Sequence, residues 1–220
     1  MYFTGRKKEI NQMIRALGEN TNILIRGKYG IGRSTLVRHV SEILNATRRF
    51  WFLDFNETPD RICRQVLAEL FPNEKRKRRS QGYKLLRRSL CEAGARSEQP
   101  VVLVLDNVGV ITPARLDFFH YLFMQKVFSF VVIVEDSMDP KDVELTRAVL
   151  HLSCRISLSH LSRTEVQEYF SFHAQHYHWN WSQAEIERQS RLSRGYPLFM
   201  AERVLYHIKN RHANNESIQT

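Results

Sequence analysis

The chain has 220 residues, of which 43% are hydrophobic and 25% are charged, a balance typical of a globular protein with one ordinary domain and a small appendage. No apolar run approaches the length that crosses a bilayer, and no apolar segment follows the charged N-terminus. We therefore expect no membrane span, no secretory signal and a cytoplasmic location. The formal net charge of +10 favours polyanionic partners, although charge alone does not distinguish DNA, RNA and lipid headgroups.

The first half of the chain alternates helices and strands. Apolar residues recur every three or four positions at 10–17, 36–44 and 62–70, which predicts three amphipathic helices. The short apolar runs at 22–26 and 50–55 predict the strands between them. The order is therefore helix, strand, helix, strand, helix.

The alternation continues after a polar interruption. Residues 101–106 and 130–136 ("VVLVLD" and "FVVIVED") are continuous apolar runs of the kind found in strands buried on both faces. A last, shorter strand is predicted at 155–161. Alternating strands and helices predict an α/β fold with a mostly parallel sheet covered by helices on both faces.

Two helices in this half have recognisable starts. The pairs Thr112–Pro113 and Asp139–Pro140 each combine an N-cap residue with a proline at the first helical position. The first of these helices is expected to bury Leu116, Phe119 and Phe123.

From about residue 160 the periodicity is helical throughout. The segments "SRTE" at 162–165 and "SQAE" at 182–185 are capping-box signatures, and Pro197 is expected to begin a last helix. We predict an α/β domain at residues 1–159, a small helical lid at 160–212 and a flexible tail at 213–220.

The cysteine and histidine spacings favour neither disulfides nor a structural metal. Cys63, Cys91 and Cys154 are odd in number and far apart, which predicts free thiols in a reducing compartment. His173 and His176 lie three residues apart on a predicted helix. A metal pair is the alternative there, but no carboxylate or thiolate stands at matching spacing, which favours a solvated helix edge.

The stretch "GKYGIGRS" at 27–34 joins the first predicted strand to the next helix. A phosphate-binding loop has Gly, four residues of any kind, Gly, Lys, then Ser or Thr. Gly27, Gly32 and Ser34 fit this pattern, and Arg33 stands where the lysine is expected. Backbone N–H groups and the positive end of the helix would attract phosphate. The alternative is a glycine turn that binds nothing.

An acidic residue ends the strand at 101–106. Asp106 is expected at the carboxyl edge of the sheet, where it would support an Mg²⁺ held by the Ser34 hydroxyl. The next residue, Asn107, can orient a water but cannot take its proton. The guanidinium of Arg33 is also bulkier than a lysine and differently aimed.

This ordered set of motifs resembles AAA+ proteins of the origin-recognition and STAND branches, which include ATPase regulators of DNA transposition. "FTGRKKEINQMI" resembles the box before their P-loop, "GKYGIGRST" their Walker A and "VVLVLDN" their Walker B. "FVVIVEDS" is similar to their sensor 1 strand and "RGYPLFM" to the Gly-x-Pro motif of their lid. The resemblance extends from residue 3 to about 208 and implies a P-loop NTPase fold.

The resemblance also implies a site for ATP or ADP with Mg²⁺ between the sheet domain and the lid. Ser34 and Asp106 would hold the metal. The residues expected to bind or enclose the nucleotide are Phe3, Thr4, Arg6, Gly27, Gly30, Ile31, Gly32, Arg33, Ser34, Thr35, Gly195 and Pro197.

For catalysis, the resemblance points to Asp106 and Asn107, to Arg147 or Arg155 as arginine fingers toward a neighbouring subunit, and to Arg194 as a sensor 2 cation. Each arginine has an equally weighted interpretation as a solvated surface residue. Arginine at 33 and asparagine at 107 together predict slow or absent hydrolysis. Glu57, Glu135 and Asp136 are the carboxylates that would have to replace the missing catalytic acid.

A basic segment separates the two halves of the sheet sequence. Its expected nucleic-acid contacts are Lys75, Arg76, Lys77, Arg78, Arg79, Lys84, Arg87 and Arg88. The last three lie at helical spacing, opposite an expected buried face. A solvated charge run is the alternative, and the family resemblance favours DNA phosphates as the partner.

Two functions fit these features. The first is a nucleotide-dependent assembly or regulatory factor that forms homo- or hetero-oligomers on nucleic acid. The second is a STAND-like switch or pseudo-ATPase scaffold, in which the nucleotide is structural and the partner is a protein. An active ATPase with an unusual pocket is a weaker third hypothesis.

Overall fold

The computed structural model of the protein describes residues 2–74 and 80–216. The basic stretch 75–79 therefore lies outside the described residues. The chain forms two compact units. The α/β unit comprises residues 8–28 and 33–157, and the helical unit comprises residues up to Lys7, residues Tyr29–Gly32 and residues from Leu158 onward.

The α/β unit is built on a parallel sheet in the described part of the chain, with strand order β2-β3-β4-β1-β5. The strands are β1 (Asn22–Gly27), β2 (Arg49–Asp54), β3 (Val101–Val108), β4 (Phe128–Glu135) and β5 (Leu152–Ser157). The helices of this part are α1 (Lys7–Gly18), α2 (Arg33–Ile43), α3 (Pro59–Leu70), a short 3₁₀ turn (Pro72–Glu74), α4 (Tyr83–Ala95), α5 (Pro113–Met124) and α6 (Pro140–Val149). This confirms the predicted α/β fold class.

The central strands carry the core. The first five residues of β3 are all buried, as are five consecutive residues of β4, because both strands have neighbours on each side and helices over each face. Phe55, Phe118 and Phe119 pack together against this sheet. The continuous apolar runs of the sequence therefore mark the middle of the sheet.

Both predicted proline starts are confirmed. The Thr112 side chain accepts a hydrogen bond from the Arg115 N–H, and the Asp139 side chain accepts one from the Lys141 N–H. The predicted buried face of α5 is wrong in part. Phe118, Phe119 and Leu122 are fully buried, whereas Leu116 and Phe123 are only half-buried. α5 has apolar residues on several sides, so its spacing alone did not define one face.

The last strand begins and ends earlier than predicted. β5 covers Leu152–Ser157, with Leu152 and Ile156 buried, whereas the sequence interpretation placed the strand at 155–161. The segment after Ser157 instead joins the helical unit, where the Leu161 N–H donates to the Gly195 carbonyl at 2.8 Å. Leu161 of this segment packs against the core of the helical unit.

The helical unit consists mainly of α7 (Arg163–His176), α8 (Gln183–Ser193) and α9 (Pro197–Glu216). Its core contains Val166, Phe170, Ile186, Met200 and Val204. The helix starting at Pro197 is confirmed, and it continues to Glu216, past residue 213 where the sequence interpretation began a tail.

The two capping signatures differ in outcome. At α7 both capping-box hydrogen bonds form, between Ser162 and Glu165. At α8 the Ser182 hydroxyl accepts from the Glu185 N–H, but the Glu185 carboxylate binds Arg188 and Gln189 instead of returning to the cap.

In the described ranges, 2–74 and 80–216, no helix combines the length and the apolar character that a membrane span requires.

Candidate nucleotide-binding site

The loop at 27–34 lies where the sequence places it, between the end of β1 and the start of α2. Gly30 and Gly32 have φ angles of +73° and +92°, in the region that favours glycine. Ser34 is half-buried and Thr35 is exposed in the first turn of α2. The backbone thus turns sharply just before the positively polarised end of a helix.

Within the helical unit, the loop is held through its carbonyl oxygens. The Tyr29 carbonyl accepts a hydrogen bond from the Tyr196 hydroxyl, the Gly30 carbonyl accepts one from the Leu198 N–H at 3.2 Å, and the Ile31 carbonyl accepts one from Arg6 at 3.3 Å. A Cβ added to Gly30 would lie 2.8 Å from the Leu198 Cβ. Close packing and positive φ therefore both require glycine at residue 30.

Arg6 is a buried charged residue, with 6% of its surface exposed. Its guanidinium donates to the carbonyls of Ile31 and Ser159, and its backbone N–H donates to the Glu165 carboxylate at 3.0 Å. Burial raises the pKa of Glu165, but hydrogen bonds from the Ser162 N–H and hydroxyl and from the Arg6 backbone N–H outweigh this effect and hold that pKa below its ordinary value. Arg6 thus supports the loop backbone.

The Gly-x-Pro motif also has a local structural role. Arg194 and Gly195 both adopt positive φ, 50° and 72°, and end α8. A Cβ on Gly195 would lie 2.3 Å from the Leu161 carbonyl oxygen. Pro197 then begins α9. The motif reverses the chain in a space that admits only glycine.

In the α/β unit, two aspartates meet at the carboxyl edge of the sheet. Asp54 and Asp106 are register partners at the ends of β2 and β3. The Asp106 carboxylate accepts from the Asn107 N–H at 2.9 Å, and the Asn107 side-chain amide donates to the Asp54 carboxylate at 3.1 Å. Asn107 has a φ of +56°. The amide that replaces the expected acid therefore binds a neighbouring strand.

Arg33 points to the end of β4. Its Nη2 lies 3.6 Å from Oε2 of Glu135, and only 13% of its side chain is exposed. Glu135 is the register partner of Gly27, which explains why it reaches the start of α2. Arg33 is therefore paired with a carboxylate of the same chain.

The three carboxylates that were candidates to substitute for the missing acid all form ion pairs. Glu135 pairs with Arg33, Glu57 with Arg61 at 3.1 Å, and Asp136 with Arg26 at 3.2 Å. The carboxylate that accepts from the Asn107 side-chain amide is Asp54, which the sequence reasoning missed. An acidic residue at the end of the second predicted strand was the available signal.

A cleft of about 390 Å³ opens at this edge of the α/β unit. Arg33, Asp106, Asn107 and Glu135 line it, together with Asp139 and Asp142 from the β4–α6 region. Asp139 and Asp142 accept backbone hydrogen bonds from Lys141 and Ile111. The structure therefore brings four residues singled out from the sequence, 33, 106, 107 and 135, into one polar cleft.

The two arginine-finger candidates share one partner. Nη2 of Arg147 lies 2.6 Å from Glu144, and Nη2 of Arg155 lies 3.7 Å from the same carboxylate. The hydrogen bond from Arg147 lowers the pKa of Glu144. All three side chains are substantially exposed, so these pairs are readily exchanged for an external anion.

The described part of the basic segment is mixed in character. Lys84 is exposed, and Arg88 is exposed and pairs with Glu92 at 2.9 Å. Arg87 instead lies over the Tyr121 ring at 4.1 Å and near the Tyr83 ring at 5.5 Å. Arg87 therefore contributes to packing between helices.

The thiols match the prediction. Cys63, Cys91 and Cys154 are free, and burial raises the pKa of Cys63 to about 12 and that of Cys91 to about 11.

His173 and His176 lie in an aromatic cluster, in which the Tyr2 and Phe172 rings stack at 3.6 Å and His173 packs edge-on against Tyr169. The expected solvated edge fits His176, which is exposed, and is wrong for His173, which is half-buried. Across residues 2–74 and 80–216, no group of three or more His, Cys, Asp or Glu side chains is arranged to hold a metal.

Residues 2–134, more than half of the chain, match the family model described as an AAA ATPase domain. The chain belongs to the AAA ATPase family. The predicted AAA+ resemblance is thereby confirmed. No curated protein sequence matches the chain.

Solved AAA+ structures share the fold. Aeropyrum pernix Orc1, solved in complex with DNA, has a TM-score of 0.72 at 15% identity, covering 96% of this chain and 62% of that one. Aeropyrum pernix ORC2, solved as ADPNP–ADP complexes, has a TM-score of 0.71 at 13% identity, covering 99% and 66%. The Thermotoga maritima RuvB Holliday junction branch migration motor has a TM-score of 0.58 at 15% identity, covering 92% and 61%.

At these identities the likeness establishes the AAA+ fold alone. The chain spans about three fifths to two thirds of the length of these proteins.

Proposed function

We propose that this AAA+ chain binds ATP or ADP and associates, in a nucleotide-dependent way, with further subunits on nucleic acid, with slow or absent hydrolysis. The observation that carries the proposal is the loop at 27–34. Four of its carbonyl oxygens, those of Gly27, Tyr29, Gly30 and Ile31, already accept hydrogen bonds within the protein. Its peptide N–H groups are therefore the part of the loop that phosphate oxygens would engage.

The residues at the sheet edge fit a magnesium-bound nucleotide. Ser34 in the first turn of α2 and Asp106 at the end of β3 offer the oxygen ligands that Mg²⁺ prefers. When bound, Mg²⁺ would neutralise phosphate charge. Ser34 and Asp106 would hold it, and the loop N–H groups would orient the phosphates.

Slow hydrolysis follows from the chemistry of Asn107. An amide cannot remove a proton from water, and this amide already donates to Asp54. Glu57, Glu135 and Asp136 are each paired with an arginine, which disfavours their service as a base.

The proposed nucleic-acid contact rests on charge. The net charge is +10, and residues 75–79 are five consecutive cations. Lys84 and Arg88 extend this basic sequence with exposed side chains on α4. Orc1 of Aeropyrum pernix was solved with DNA, which supports the same class of partner here. Phosphate contacts of this kind tolerate any sequence and weaken with salt.

Binding to fluorescent duplex DNA, measured by anisotropy with and without ADP or ATP over a range of salt, tests this part. Reversing Lys75, Lys77 and Arg79 to Glu should weaken binding about 100-fold at low salt and flatten its salt dependence. The matched control reverses the exposed cations Lys7, Lys8 and Arg15, and should change binding far less. Equal losses in both variants would contradict a defined basic contact.

The scaffold with a protein partner is the second candidate. It is favoured by one observation: Arg33, Arg147 and Arg155 are all paired with carboxylates of this chain. Two results together would favour the scaffold. The protein would retain nucleotide without hydrolysing it, and the charge reversal at residues 75, 77 and 79 would leave DNA binding unchanged.

A further inference from the structure

The ion pair of Arg33 with Glu135 bears on which nucleotide the site prefers. In a phosphate-binding loop the backbone N–H groups hold the α- and β-phosphates, while the loop cation reaches the β- and γ-phosphates. Arg33 occupies that cation position in the sequence. Its guanidinium faces Oε2 of Glu135 at 3.6 Å and is largely shielded from water. The cation that a third phosphate needs is thus already paired.

Glu135 is fixed on its other side as well. Its Oε1 accepts a hydrogen bond from the Ser137 hydroxyl at 3.1 Å. Its backbone position is set by pairing of β4 with β1, opposite Gly27. The strand register therefore places Glu135 near the start of α2, where the serine and the arginine both contact its carboxylate.

The surrounding cleft is acidic. Among the described residues that line it, Arg33 is the one cation, and Asp106, Glu135, Asp139 and Asp142 are the carboxylates. A γ-phosphate adds negative charge to the ligand, and like charges within a few ångströms repel strongly near a protein surface. A diphosphate held by the loop backbone avoids most of this cost.

Resting on the proposed nucleotide function, we infer that Glu135 is a specificity-determining residue that makes this a nucleoside diphosphate site. Glu135 neutralises Arg33 and adds repulsion against a third phosphate. The site then holds ADP through the loop backbone and admits ATP only when Arg33 is released from the carboxylate. The pairing of Arg33 with Glu135 is accordingly what gives the site its preference for a diphosphate.

The test is the ratio of ATP to ADP dissociation constants, measured by isothermal titration calorimetry with Mg²⁺. The wild-type chain should bind ADP at least about tenfold more tightly than ATP. Glu135→Gln should tighten ATP binding and bring the ratio near one. Asp136→Asn is the matched control, because Asp136 is the next residue and pairs with Arg26 instead. It should leave the ratio unchanged.

A double variant separates release of Arg33 from simple loss of negative charge. If Glu135 acts through Arg33, Arg33→Gln combined with Glu135→Gln should lose most of the ATP gain seen in Glu135→Gln alone. The full gain in the double variant would show that Arg33 plays no part and would overturn this mechanism.

The remaining outcomes are also decisive. Equal wild-type affinities for ADP and ATP would overturn the inference and leave the proposed nucleotide function intact. An equal effect of Asp136→Asn would overturn it as well. Binding of neither nucleotide would refute the proposed function, and the preference with it. The wild-type ratio needs no variant, so a poorly folded Glu135→Gln protein does not block the test.

Discussion

Two arginines, one in each compact unit, are held in different ways. Arg6, in the helical unit, is 6% exposed and donates to backbone carbonyls of Ile31 and Ser159. Arg33, in the α/β unit, faces one side-chain carboxylate at 3.6 Å. Backbone acceptors are fixed by the fold, whereas a side-chain acceptor can be exchanged for a ligand anion. Arg6 therefore supports the backbone, whereas the pairing of Arg33 is open to exchange.

The largest effect should follow from removing Arg6. Arg6→Met removes the donor to the buried Ile31 carbonyl and to the partly buried Ser159 carbonyl, and should lower the free energy of unfolding by about 2–4 kcal/mol. Chemical denaturation measures this loss. Arg163→Met is the control, because Arg163 is 70% exposed and makes only a 3.7 Å pair with Glu187; it should cost less than about 0.5 kcal/mol. Similar losses in both would mean that Arg6 is not a structural residue.

A somewhat smaller loss should come from Gly195→Ala. Its φ of +72° and the Leu161 carbonyl oxygen 2.3 Å from an added Cβ both disfavour alanine. We expect destabilisation of about 1–3 kcal/mol in thermal or chemical unfolding. Gly18→Ala, at the end of α1 with no atom within 4 Å of the added Cβ, should be nearly neutral. An unchanged unfolding midpoint for Gly195→Ala would show that the chain relaxes here.

Acidification should weaken the helical unit. Burial lowers the pKa of His173, and the charge of nearby His176 adds to this effect. Burial also lowers the pKa of His207; Glu185 opposes this effect, whereas Arg203 and Arg188 add to it. The unfolded chain, with histidine near 6.5, then binds more protons than the native one. Stability is thus complete above that value and falls as pH drops toward the lower native pKa.

Unfolding monitored by tryptophan fluorescence between pH 7.5 and 5 tests the acidification prediction. His173→Gln should flatten the pH dependence, whereas His120→Gln, at an exposed position on α5, should keep it. A slope that His173→Gln leaves unchanged would assign the effect to other groups.

The smallest effects distinguish two adjacent arginines on α4. Arg87→Ala loses the contact with the Tyr121 ring and should cost about 1 kcal/mol. Arg88→Ala loses an exposed pair with Glu92 and should cost at most about 0.5 kcal/mol. Measured differences in the opposite order would contradict the packing role of Arg87.

Local signals predicted most of the fold. Continuous apolar runs identified β3 and β4, and the cap residues Thr112, Asp139 and Ser162 identified helix starts, because each depends on neighbours in sequence. The end of β5 was misplaced because the segment after Ser157, including Leu161, belongs to the other unit.

Less of the site could be predicted. The loop and Asp106 are visible as motifs, but the partners of Arg33 and Asn107 depend on strand order. Glu135 reaches Arg33 because β4 lies beside β1, and Asp54 reaches Asn107 because β2 lies beside β3. Nothing in the spacing of the sequence specifies these neighbours, and the burial of Arg6 likewise arises from long-range contacts.

The central claim is that the loop at 27–34 binds nucleotide phosphates. The most direct test of this claim is to measure equilibrium ADP binding to wild type and to two charge variants of α2. Ser34→Glu places a carboxylate in the first turn of α2, next to the loop that is proposed to hold phosphate, and Ser41→Glu places the same charge two turns along the helix. We predict that wild type and Ser41→Glu bind ADP equally and that Ser34→Glu binds at least about tenfold more weakly. No binding to wild type, or equal binding to all three proteins, would contradict the account.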